Sequence, residues 1–363
     1  MADKTKLLYI TNGVSGAGGL ERVLSIKASL LADDYNYDVH IITLNQSSQS
    51  LFYNFSSRIK FHNFQANGGG FSYFKSYISE LKKVIKKVDP HLIVVCDDGM
   101  KGLFLPYFLP KKCPLLYERH ASKLLTLDGT PPLKRKIMNR LMNIGAASYD
   151  KFIVLSPENV TEWPVNNITV ISNPLSFYPV EVSALTNKSV IAIGSHSFNK
   201  GYDRLLLVWK EVKEQHPDWT LHIYGKIDNQ KTFLTMSDEL QLGSSVVFHE
   251  PVPNIQEKIL ESSIFVLPSR SEGFGMVLIE AMACGVPCVS FDCPCGPKDI
   301  ISDKNDGYLV PNGDLPAFQS RVSQLIADFE LRQLMGIKAR NNVKRFLPEQ
   351  ILPQWDNLFK ELV

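Results

Sequence analysis

The sequence predicts an α/β protein made of two doubly wound, parallel-sheet domains. Short apolar runs alternate with amphipathic stretches along the whole chain, the βαβα grammar of parallel sheets covered by helices on both faces. A Pro-rich connection, Ser172–Pro179, divides that grammar into halves of similar length. A chain of 363 residues also has the size of two ordinary domains.

Each element follows from its pattern. In the first half the strand-like runs are Lys6–Ile10, Asp38–Leu44, Ile59–Phe64, Leu92–Cys96, Leu115–Glu118 and Phe152–Leu155. Between two of them, Phe74, Tyr77, Ile78, Leu81, Val84, Ile85 and Val88 share one helical face, and Lys75, Lys82, Lys83, Lys86 and Lys87 share the other. Asp89-Pro90 ends that helix, because proline disfavours the helical conformation in the residue before it. In the second half the runs are Ser189–Gly194, Thr220–Tyr224, Val246–His249, Ile264–Leu267, Cys288–Phe291 and Gly307–Val310. Helices are expected near Asp203–Gln215, Asn254–Glu261, Val277–Cys284 and Pro316–Phe329. The expected domains are residues 1–178 and 179–345, with 346–363 forming an extra helix. A ligand cleft is expected at the strand C-terminal ends that face the divide.

Composition narrows the function class. With 44% hydrophobic and 21% charged residues and a net charge of +2, the chain reads as a soluble globular protein with no nucleic-acid footprint. No run approaches the ~20 apolar residues of a spanning helix. Met1-Ala-Asp-Lys-Thr-Lys leads straight into Leu7–Ile10, so a mature cytosolic start is expected. Six cysteines lie at 96, 113, 284, 288, 293 and 295. The last four lack paired C-x2-C spacing and have no histidine nearby, so free thiols are expected and no metal site.

The most informative stretch is Ser269–Glu280, between an apolar run and a helix. Gly273 and Gly275 let backbone N–H groups approach an anion at the helix start, and Glu272 and Glu280 supply acceptors for hydroxyls. Thr11–Arg22 holds a second glycine turn with Gly16, Gly18 and Gly19; Glu21 stands where a dinucleotide fingerprint needs its third glycine. His120 follows a strand end in Tyr117-Glu-Arg-His, Lys200 follows another, and Asp292–Asp299 forms a Pro/Gly turn with Lys298. No carboxylate falls between Asp128 and Asp150, where Leu133, Ile137, Met138, Leu141 and Met142 form a stripe among Lys134, Arg135, Lys136 and Arg140. Such a helix either docks on its own sheet or lies on an anionic membrane.

Together these pieces resemble the retaining nucleotide-sugar glycosyltransferases of family 4 over nearly the whole chain. The motifs are Glu272-x7-Glu280 within Pro268–Val289, Gly18-Gly19-x-Glu21-Arg22, Asn173-Pro174, Lys200-Gly201 and Gly307–Val310. The resemblance implies the GT-B fold, two facing Rossmann-like domains with a terminal helix that crosses back to the first, acceptor-binding one. It implies that Glu272 contacts donor-sugar hydroxyls and that the N–H groups of Phe274, Gly275, Met276 and Val277 hold the diphosphate. Glu280 would take the ribose, His120 the transferred sugar, and Lys200 the leaving diphosphate. Gly18 and Gly19 would lie under donor or acceptor. Ser195 stands where the family has a phosphate-binding arginine, with His196 or Arg270 as the candidate replacement cation.

The implied reaction is retaining transfer from a UDP- or GDP-sugar to an acceptor hydroxyl, by front-side attack without metal or cofactor. Asp97-Asp98 is the nearest imitation of an Asp-x-Asp metal motif. The partners expected are the nucleotide-sugar donor, a glycan or lipid-linked acceptor of the cell surface, and an anionic membrane through Lys134–Arg140. That places the chain in the cytoplasm, peripheral to the membrane. The alternatives are a GT-B epimerase of sugar nucleotides and a non-catalytic sugar-nucleotide-binding relative.

Overall fold

The computed structural model describes residues 4–46, 51–127 and 129–363. Met1–Asp3, and Asp128 of the expected Asp128–Pro132 loop, lie outside them. The chain divides into two compact units, one of Met1–Pro174 with Pro348–Val363 and one of Leu175–Leu347.

The first unit carries seven parallel strands: β1 (Lys6–Thr11), β2 (Asp38–Leu44), β3 (Lys60–Phe64), β4 (Leu92–Cys96), β5 (Leu115–Glu118), β6 (Lys151–Val154) and β7 (Ile168–Val170). Their spatial order is β3-β2-β1-β4-β5-β6-β7. The second unit carries six: β8 (Ser189–Ile193), β9 (Thr220–Tyr224), β10 (Val246–His249), β11 (Ile264–Leu267), β12 (Cys288–Asp292) and β13 (Gly307–Pro311), in the order β10-β9-β8-β11-β12-β13. Every pairing is parallel. Each sheet reverses its winding beside its first strand, between β1 and β4 and between β8 and β11. Loops leaving the carboxyl ends there diverge and open a crevice.

The helical faces behave as their patterns require. Tyr77, Ile78, Leu81 and Ile85 bury against Leu8, Ile42 and Val95, with Phe74 and Val84 partly covered. In the second unit Leu205, Trp209, Phe318 and Leu325 cover Val190, Leu221, Ile264 and Val289. The strand β7 is absent from the sequence reading. It has only three residues, all half-buried at a sheet edge, so it shows no continuous apolar run.

Two boundaries differ from expectation. The division falls after Pro174 rather than after 178, because the Leu175 N–H donates to Phe346 O at 2.7 Å and Ser176 Oγ to Glu280 Oε1 at 2.6 Å. The return falls at Pro348 rather than 346, because Phe346 stands edge-on to Phe274, with 5.3 Å between centroids. The helix Pro348–Leu362 is tied to the first unit: Tyr37 Oη donates to Asp356 Oδ1 at 2.7 Å, and the Trp355 ring lies 4.0 Å from Lys27 Nζ.

The basic helix Pro132–Ala147 docks only by its last turns, through Met142, Gly145 and Ala146. Met138 is partly covered, while Leu133, Ile137, Leu141 and Ile144 stay 75, 53, 40 and 43% exposed. The stripe is therefore split: Met142 docks and Met138 is partly covered, while Leu133, Ile137 and Leu141 face outward. Among the described residues no helix is long and apolar enough to cross a membrane.

Candidate functional site

In the second unit the crevice position is filled by loops from β8 and β11. The turn after β8 places Ser195 in solvent and winds through Phe198–Lys200. Gly201 follows with φ 69°, and a Cβ there would overlap the Pro268 carbonyl oxygen. Only glycine permits that approach, and it sets Lys200 over the loop from β11. Lys200 Nζ donates to Glu272 Oε1 at 2.7 Å, and Ser269 Oγ donates to the same oxygen at 2.6 Å. The Glu272 N–H in turn donates to Pro294 O at 3.0 Å, so the Cys293–Gly296 turn after β12 supports the carboxylate from below.

Beyond Glu272 the chain turns through Gly275, the N-cap of the helix Met276–Ala283, with φ 102°. The N–H groups of Met276 and Val277, first in that helix, have no acceptor among the described residues. Together with Lys200 they form a concentration of positive potential beside a carboxylate, a design for an anion that also bears hydroxyls. Phe274 is buried, and Met276 and Val277 are half-buried. Glu280 is fully buried and accepts from Ser176 Oγ at 2.6 Å.

Neither candidate replacement for the arginine missing at Ser195 is available here. Arg270 is committed to Asp203 through two bonds of 2.8 and 2.6 Å and lies 3.6 Å over the Phe198 ring. His196 is buried among Tyr202, Phe233 and Phe248, with both ring nitrogens unbonded. Desolvation lowers its pKa, which keeps the ring neutral. Of Lys200, His196 and Arg270, Lys200 is the cation that faces Glu272.

In the first unit the glycine turn after β1 leaves Gly16, Gly18 and Gly19 exposed, with open space above Gly19. His120 departs from the expected outward pose. Its side chain is 7% exposed, and Nε2 faces inward, 3.2 Å from Glu118 Oε1. Glu118 also accepts from Lys27 Nζ and from Cys96 Sγ, the latter at 3.4 Å. Burial opposes its ionisation, yet Lys27 and His120 outweigh burial and hold the carboxyl well below the usual range. Cys96, Glu118 and His120 are also a grouping within metal-ligand reach among the described residues. Asp97 and Asp98 serve the loop itself. Asp97 Oδ1 accepts from Asn12 Nδ2 at 3.0 Å and Gly99 N at 2.8 Å, while Asp98 Oδ1 accepts from His120 N at 2.9 Å.

Comparison with known proteins now decides the family. A model of "Glycosyl transferases group 1" matches residues 179–342, and one of "Glycosyl transferase 4-like" matches residues 19–156. The chain belongs to the family 4-type GT-B glycosyltransferases. The transferase is 28% identical over 367 residues to the amylovoran biosynthesis glycosyltransferase AmsD of Erwinia amylovora, covering 97% of this chain and 99% of that one. It is 25% identical to the lipopolysaccharide 1,6-galactosyltransferase of Escherichia coli, covering 89% of each. Its fold superposes on a TarM variant of S. aureus in complex with Fondaparinux, alpha-GlcNAc-glycerol and UDP, with a TM-score of 0.82 at 17% identity and coverage of 98 and 99%.

The structure thus brings Lys200, Glu272 and the Phe274–Val277 backbone of the transferase into one cluster and sets His120 in another. Sequence reasoning missed Ser269, Lys27 and Glu118. For Lys27 a signal existed: it falls on the apolar stripe of Val23, Leu24, Ala28 and Leu31, where an unpaired lysine has no place.

Proposed function

We propose that the transferase moves a hexose from a UDP- or GDP-sugar to an acceptor hydroxyl of a cell-surface polysaccharide or glycolipid, with retention at the anomeric carbon. The observation that carries this reading is Glu272, gripped on one oxygen by Lys200 and Ser269 beside the open helix start at Gly275. The free Glu272 oxygen would receive sugar hydroxyls. Lys200 and the Met276 and Val277 N–H groups would receive the diphosphate. In the reaction the acceptor oxygen bonds to the anomeric carbon on the face the diphosphate leaves. The electron pair of the broken bond goes to the phosphate oxygen, which takes the acceptor's proton. Charge develops on that oxygen, where fixed donors stabilise it most. Lys200 and the helix start supply that stabilisation, so the reading includes no metal or cofactor. A UDP-bound fold neighbour and a lipopolysaccharide-directed relative favour this donor and acceptor class.

The same reading places the enzyme at the membrane through Pro132–Ala147, as a peripheral cytoplasmic protein. Its outward Leu133, Ile137, Leu141 and Ile144, flanked by Lys134, Arg135, Lys136 and Arg140, match an acyl surface with anionic headgroups. Flotation with phosphatidylglycerol vesicles should carry the protein upward at low salt, and Leu133→Ser/Ile137→Ser should abolish it. Equal flotation by that variant refutes the membrane part.

The function is tested by melting the protein with a panel of UDP- and GDP-hexoses, since a bound donor raises the transition. The best donor is then incubated with lipid-linked glycans and the product anomer read by NMR. A flat panel, or an inverted anomer, overturns the reading.

A further inference from the structure

Lys27 is a charge buried where its helix pattern asks for an apolar residue. It and Glu118 are each 1% exposed. The ammonium donates to Glu118 Oε2 and lies 4.0 Å from the Trp355 ring centre and 5.4 Å from that of Tyr9. Such a buried pair is often no more stabilising than apolar residues of the same volume, so packing alone does not account for it. Its consequence is chemical: it keeps Glu118 ionised inside the protein.

An ionised carboxylate only accepts hydrogen bonds. Glu118 Oε2 is occupied by Lys27 and the Cys96 thiol. Glu118 Oε1 and His120 Nε2 are both buried, make no hydrogen bond of good geometry, and lie 3.2 Å apart. A bare Nε2 lone pair at that distance from an acceptor-only oxygen would be repelled, so the contact favours the proton on Nε2. A divalent cation on Cys96, Glu118 and His120 would share a buried carboxylate with the Lys27 ammonium and be repelled by it. Nδ1, by contrast, has no partner among the described residues.

We propose that Glu118 is a positioning residue for His120. It fixes the imidazole with the Nε2 proton inward and leaves Nδ1 as the atom offered to the sugar. Lys27, seated on Trp355, fixes Glu118 in turn. In the neutral ring Nδ1 accepts from a sugar hydroxyl. The terminal helix thereby reaches the site through Trp355, Lys27, Glu118 and His120. This proposal rests on the reading of His120 as a contact of the transferred sugar.

Long-range 1H–15N correlation of His120 in the full chain tests the ring state directly. The expected spectrum has the proton on Nε2; a neutral ring protonated on Nδ1 alone overturns the proposal whatever the enzyme does. The turnover arm uses Lys27→Met/Glu118→Leu, which removes both charges together and should melt close to the wild type. With the UDP-hexose of largest melting shift, its kcat should fall about 10- to 100-fold, by analogy with partners that orient metal-bound imidazoles, with donor KM nearly unchanged. In a His120→Ala background the same substitutions should have no further effect; additive losses would mean that the pair acts elsewhere. Wild-type turnover by His120→Ala itself would refute the sugar contact and with it the positioning role, while the spectrum still reports whether Glu118 sets the ring.

Discussion

Each unit of this transferase holds a lysine–glutamate pair near the carboxyl ends of its strands, and the two pairs are built for different tasks. Lys27 and Glu118 in the first unit are each 1% exposed; Lys200 and Glu272 in the second are 22 and 10% exposed. The first pair is enclosed by Trp355, Tyr9 and Cys96 and has nowhere to go. The second is held by single bonds to one carboxylate oxygen, beside unbonded N–H groups of a helix start. A closed pair can only orient its neighbours. An open pair can exchange its internal partner for a ligand. The same two residue types are thus enclosed as framework in one unit and left open to solvent in the other.

The largest effect expected from this contrast is on stability. Lys27→Met strands the Glu118 carboxylate in the interior, a loss of about 3–5 kcal/mol. Thermal unfolding should shift down by on the order of 10 °C; an unchanged transition would mean that the pair is not closed. Next comes Glu272→Ala, which should lower transfer at saturating donor by at least about 100-fold and leave the melting curve in place. Wild-type turnover in that variant would sink the role of the open pair. Lys200→Ala should weaken donor binding by about 10- to 100-fold, the value of one charge-assisted bond, with little change in stability because partly exposed pairs contribute little. Calorimetry on the donor decides it, and equal affinity would transfer the diphosphate role to the backbone alone.

The smallest effect is one the two units share. His40 Nδ1 lies 2.8 Å from His62 Nε2, and His222 Nδ1 lies 3.0 Å from His249 Nε2, each pair bridging the outer two strands on the first-strand side of its sheet. Burial lowers all four pKa values from 6.5. The unfolded chain therefore binds more protons as pH falls below 6.5, so stability is full above that pH and declines beneath it. The melting temperature should drop between pH 7 and 5.5, and His62→Gln/His249→Gln should flatten the slope. A flat wild-type profile would remove the histidine pairs as its cause.

Much of this was legible in the chain. Buried parallel strands are apolar on both faces, so runs such as Leu92–Cys96 and Ile264–Leu267 announce themselves. The glycines at Gly201 and Gly275 mark places where backbone must approach backbone or turn left-handed, and both flank the Glu272 cluster. The edge strand Ile168–Val170 was invisible because half-buried residues at an edge need no apolar run. Arg270 and His196 looked like interchangeable cations by position. Asp203, which occupies Arg270, and the aromatic pocket that neutralises His196 come from other elements.

Periodicity and glycine placement are local properties of a chain, so the α/β plan, and Ser269–Glu280 as the candidate site, can be read from the residues alone. Which charges are available there depends on packing between distant segments. That packing buried Lys27 with Glu118, turned His120 Nε2 inward, tied up Arg270, and left Lys200 facing Glu272. A charge's partners and its access to water are set by residues far away in sequence, and those two quantities govern whether it orients, stabilises or binds.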